Sequence, residues 1–104
     1  MMRRAFLAAL PALVPLAAHA AGVQVVIDRH MFAPMAITVP AGTRVTWLNK
    51  DDTVHTVASS DGGKVFSSPP LDTGDSFAFT FTRPGVYRYY CTVHPYMLGS
   101  ITVR

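Results

Sequence analysis

From Val23 onward, hydrophobic and polar positions alternate in short runs, and no helical period persists for more than a turn. Val23–Asp28 and Ala36–Val39 read as strands, and Arg44–Asn49 as a third with Val45 and Trp47 on one face. Val54–Ala58 follows the Asp51-Asp52 turn as another short strand. Phe77, Phe79 and Phe81 alternate with Ala78, Thr80 and Thr82, which predicts a half-buried strand with an aromatic inner face. Val86–Cys91 and Gly99–Val103 close the chain in the same style. Pro40-Ala41-Gly42 and Arg83-Pro84-Gly85 supply the turn chemistry between them. Ser59–Asp75 is the least regular stretch, broken by Gly62-Gly63, Pro69-Pro70 and Gly74, with a short strand predicted at Lys64–Phe66. About eight short strands punctuated by Pro and Gly predict an all-β domain, a two-sheet sandwich or barrel.

The first twenty residues break this pattern. Arg3 and Arg4 precede an apolar run from Ala5 to Ala18, which ends in Ala18-His19-Ala20. This is the layout of a cleavable secretory signal over 1–20, leaving a domain over 21–104. The run is shorter than the roughly 20 apolar residues of a membrane span, and Pro11 and Pro15 interrupt it. Arg3-Arg4-Ala5-Phe6-Leu7 is also compatible with twin-arginine export. The expected address is periplasmic, with no membrane span in the mature chain. Removing the segment lowers Lys+Arg from 9 to 7 against 6 acids, so the mature net charge is +1. No clustered basic face is left for nucleic acid.

A domain this small has a thin core and usually carries a staple. Cys91 is the one cysteine, so no internal disulfide is available, and an unpaired thiol in an oxidising compartment points to a metal ligand. Cys91-Thr92-Val93-His94-Pro95-Tyr96-Met97 sets a thiolate, an imidazole and a thioether three residues apart. These donors suit copper in both of its oxidation states, and His55 completes the two-His, one-Cys, one-Met set of an electron-transfer copper site. Each residue alone has a bland explanation: a buried inert thiol, a core methionine, a satisfied histidine. The combination in an exported β-domain favours the metal.

On these residues the chain resembles the cupredoxins, most closely the amicyanin branch, with pseudoazurins and plastocyanins more distant. The resemblance runs from Val23 to Arg104 and includes Phe32-Ala33-Pro34, Val39–Gly42, Val45–Asp51, Pro84–Tyr87 and the short loop ending Pro95-Tyr96-Met97. It implies a Greek-key β-sandwich with one copper near one end, held by His55, Cys91, His94 and Met97. It also implies a monomeric carrier of single electrons between redox proteins, such as a periplasmic dehydrogenase as donor and a c-type cytochrome as acceptor. His94 is the expected exit for the electron, inside an apolar rim of Pro95, Tyr96, Leu98, Met31, Pro34 and Met35. One position departs from the family: Thr56 stands where relatives commonly have an Asn that braces the cysteine loop, and a hydroxyl can take over part of that bracing.

Two other classes compete. A copper-delivery protein would use His30, Met31 and Met35 as a looser methionine-rich site. A structural zinc domain would want more nitrogen or sulfur than a loop containing Met97 offers. A binuclear copper centre needs a second cysteine, and an oxidase needs further histidine clusters, so catalysis is not expected.

Overall fold

Branched and aromatic side chains pack well on a pleated surface, and the stretches rich in them form eight strands. The computed structural model describes residues 22–104, and the export segment expected over 1–20 lies outside the described residues. The strands are β1 (Val23–Asp28), β2 (Met31–Ala33), β3 (Ala36–Val39), β4 (Thr43–Asn49), β5 (Ala58–Ser59), β6 (Ser76–Phe81), β7 (Gly85–Tyr90) and β8 (Leu98–Val103). They build two four-stranded sheets, in the orders β2-β1-β4-β6 and β3-β8-β7-β5. Both sheets are mixed, because β1 pairs β4 and β3 pairs β8 in parallel. The result is the expected all-β sandwich. Among the described residues no helix is long and apolar enough to cross a membrane.

The alternation expected in β4 is realised: Val45 and Trp47 are fully buried, while Arg44 points to solvent. Opposite them, Tyr89, Cys91, Ile101 and Val103 face inward from the second sheet, and Val25, Ile27, Phe32 and Phe81 complete the centre of the core. Trp47 is its hub, stacked on Phe66 at 5.6 Å and edge-on to Tyr89 at 5.3 Å between ring centres. Aromatic contacts of this kind add about 0.5–1.5 kcal/mol beyond the area they bury. The turn after β3 follows its chemistry too: Gly42 has φ of 94°, and the Thr43 amide donates to the Pro40 carbonyl at 3.2 Å.

Three local expectations are corrected. The strand expected over Val54–Ala58 shrinks to β5, and His55 is held instead by an isolated bridge to Leu71. Lys64–Phe66 is not a strand: the Ser59 hydroxyl gathers the Val65 and Phe66 amides, and Phe66 turns into the core while Lys64 and Val65 stay exposed. β2 was not anticipated. It forms a hairpin with β1 through Arg29 and His30, which both adopt positive φ, 54° and 58°. Such a turn normally draws on Asn and Gly, so Arg-His carries no hairpin signal.

β8 contains a built-in test of this packing. Gly99 lies directly opposite Tyr89, and a Cβ at Gly99 would overlap the Tyr89 ring. Tyr89 is pinned among Trp47, Phe32 and Phe66 and has little room to retreat. Gly99→Ala is therefore expected to cost about 1–3 kcal/mol, the usual cost of overpacking, measured as a lower denaturation midpoint. An unchanged midpoint would show that the ring shifts freely.

Candidate metal centre

The antiparallel register of β7 and β8 puts Tyr90 opposite Leu98, so Cys91–Met97 is the loop of a hairpin. That loop closes on itself: the Cys91 amide donates to the Met97 carbonyl at 3.2 Å and the Met97 amide to the His94 carbonyl at 2.9 Å. Cys91 and Met97 are thereby drawn into the protein, both buried, while His94 stays half-exposed on the outer side. His55 comes from the other segment. Its backbone is fixed in both directions, donating to the Leu71 carbonyl at 3.1 Å and accepting from the Leu71 amide at 2.8 Å. Its ring is fully buried.

These placements bring three donor atoms together. His55 Nδ1 lies 3.7 Å from Cys91 Sγ, His94 Nδ1 lies 3.8 Å from the same sulfur, and the two Nδ1 atoms are 3.2 Å apart. A point equidistant from all three lies about 2.1 Å from each, within the span of metal–imidazole and metal–thiolate bonds (roughly 2.0–2.3 Å). The donor set and its spacing thus fit a single transition-metal ion. Met97 belongs to the same loop, and its buried side chain lines a cleft that also contains His30.

The surroundings orient these ligands. Asp51, itself buried, receives His55 Nε2–H at 2.8 Å, which leaves Nδ1 as the free lone pair. The same Oδ2 atom accepts the His30 amide at 3.0 Å, and Oδ1 accepts the Asp52 amide at 2.9 Å. The hydrogen bond from His55 holds the Asp51 carboxyl well below the usual carboxylate range, outweighing the opposing effect of burial. Asn49, fully buried at the end of β4, fixes the loop: its amide donates to the Thr53 and Leu71 carbonyls at 2.9 Å each, and its oxygen accepts the Asp51 amide. At His94 desolvation, then the neighbouring His30 and His55, disfavour the imidazolium and push the ring below the usual histidine range.

Thr56 braces the cysteine loop. Its hydroxyl accepts the Thr92 amide at 2.7 Å and lies 2.7 Å from the Thr92 hydroxyl, while its own amide points at Cys91 Sγ at 3.4 Å. Two residues of the site escaped the sequence reading. Asp51 looked like a turn residue, and His30 looked like a spare donor. His30 is in fact an edge-on neighbour of His94 at 4.5 Å and of His55 at 5.2 Å, and one ring atom from each of the three histidines falls within 4.8 Å of the others.

A buried thiol faced by two imidazoles at metal-bonding spacing, at one end of an eight-stranded sandwich, defines a class of metalloprotein. The chain belongs to the cupredoxin-like domain family, whose sequence model matches residues 3–103. It is 33% identical to amicyanin-alpha of Methylorubrum extorquens, over 96% of this chain and 97% of that protein. A purple cupredoxin from Nitrosopumilus maritimus superposes with a TM-score of 0.74 at 37% identity, covering 79% of this chain and 99% of its own. The copper-containing nitrite reductase of Thermus scotoductus SA-01 matches at 33% identity and a TM-score of 0.74, over 97% of this chain but only 25% of that enzyme.

The brace predicts a measurable weakness. Thr56→Ala leaves the Thr92 amide without its acceptor, and is expected to lower stability by about 0.5–1.5 kcal/mol. Thr56→Ser, which keeps the hydroxyl, should recover most of that loss in the same chemical denaturation assay.

Proposed function

We propose that this protein is a type 1 copper electron carrier of the periplasm, with His55, Cys91 and His94 as the strong ligands and Met97 as the weak fourth. The observation that carries the reading is the triangle of His55 Nδ1, His94 Nδ1 and Cys91 Sγ with edges of 3.2, 3.7 and 3.8 Å. Copper bound there supplies a one-electron couple between its two oxidation states. The chain's own part is to hold these donors still. Cys91 is gripped by its loop and by Thr56, and His55 by Leu71 and Asp51, so neither donor has room to rearrange when charge changes.

Four donors supplied by the chain leave no open position of the kind a catalytic metal keeps, which supports a carrier over an enzyme. The nitrite reductase is compatible with this, since the likeness covers a quarter of that chain. His94 is the half-exposed ligand and serves as the electron's exit. Around it Val93, Tyr96 and Leu98 are exposed apolar side chains, with Tyr96 68% open to solvent. An apolar surface around a redox exit suits brief docking to other redox proteins, a dehydrogenase as donor and a c-type cytochrome as acceptor. The export signal read over 1–20 supports the periplasmic address, and the carrier is proposed to work as a monomer.

The copper-loaded protein should show an intense visible thiolate-to-copper band and a narrow copper hyperfine splitting in its EPR spectrum. Cys91→Ser should abolish both. A colourless copper complex, or a band that survives Cys91→Ser, would overturn the proposal. Asp51→Asn, which weakens the orientation of His55, should lower copper affinity by about 10–100-fold in a chelator competition titration.

A further inference from the structure

The described residues contain three histidines, three methionines and one cysteine, and all seven meet at one end of the sandwich. The proposed centre uses His55, Cys91, His94 and Met97. His30, Met31 and Met35 are left over, and they line one cleft of about 390 Å³ together with Met97. Met31 and Met35 are 53% and 55% exposed. Any apolar side chain would make a docking surface, but only methionine offers a neutral soft sulfur. Thioethers and imidazole are the ligands that suit Cu(I).

His30 gives the cleft a direction. The strained turn at Arg29 and His30, both at positive φ, is fastened by the Asp51 carboxylate, which accepts the His30 amide at 3.0 Å. The His30 ring lies edge-on to His94 at 4.5 Å and lines the same cleft as Met31 and Met35. His55, Cys91 and Met97 are buried, and His30 and His94 are the half-exposed members, so the open face of the centre lies on the side of these two imidazoles. Arg29 also lines the cleft, and its positive charge opposes long residence of a cation.

Resting on the copper reading above, we infer that His30, Met31 and Met35 form a second, exchangeable seat for Cu(I), from which the ion moves to the centre. The transfer is a ligand exchange without change of oxidation state: bonds to the cleft donors break as bonds to His94 and the others form, and the Cys91 proton leaves to solvent.

Ag(I) is a redox-silent probe of the seat. Titrated into the copper-loaded, reduced protein, one equivalent should shift the methyl resonances of Met31 and Met35. Reoxidation should restore the full visible band, showing that the centre kept its copper. The double variant Met31→Leu, Met35→Leu leaves His30 in place and keeps two apolar side chains. It should hold the added Ag(I) at least about tenfold more weakly. Stripped of metal, it should take up Cu(I) more slowly than the wild type while ending with the same band. Methyl groups that do not move, equal Ag(I) affinity, or equal uptake rates would each overturn the seat and leave these side chains a docking role only. Failure of the copper reading looks different, since the visible band would then be missing from the wild type itself.

Discussion

One threonine fastens together two segments that lie 36 residues apart. The Thr56 amide donates to the Cys91 sulfur, and the Thr56 hydroxyl accepts from the Thr92 amide. His55 directly precedes it and Cys91 directly precedes its partner, so the bond fixes the imidazole and the thiol relative to each other before any ion is present. Everything else at the centre presupposes that attachment. β5 and β7 are paired just beside this brace, at Ala58 and Tyr90.

Asp51 sets a second level of order. It is a buried acid whose oxygens are taken up by three hydrogen bonds, from the His55 ring and from the His30 and Asp52 amides. A buried carboxylate is costly unless it is satisfied in this way. Through one oxygen, Asp51 aligns a proposed ligand and also anchors the β1–β2 turn that carries the third imidazole. The metal centre and the cleft beside it therefore share a single support, and that support depends on Asn49 holding its loop from below.

Much of this was legible in the chain. The alternation at Val45 and Trp47, the Pro40–Gly42 turn, and the Cys91–Met97 spacing are local signals, and each reports a local structure. What escaped depended on longer paths. Asp51 stands in an Asp-Asp pair that reads as a turn, and its contact with the ring four residues later follows from Asn49 bonding to Leu71, 22 residues away. β2 was missed because Arg29 and His30 adopt a conformation their side chains do not advertise. The strand expected over Val54–Ala58 fails for the opposite reason: its composition suits a sheet, but among the described residues His55 pairs only with the single residue Leu71.

The ligand hairpin bears on how such a centre assembles. Three proposed donors sit between paired strand ends, so they reach mutual proximity as soon as β7 and β8 zip together, at the small entropic cost of a short loop. His55 comes from a segment 36 residues earlier, tied to this hairpin through Thr56. A metal held by the proposed ligands would therefore cross-link a local hairpin to a segment 36 residues away in sequence.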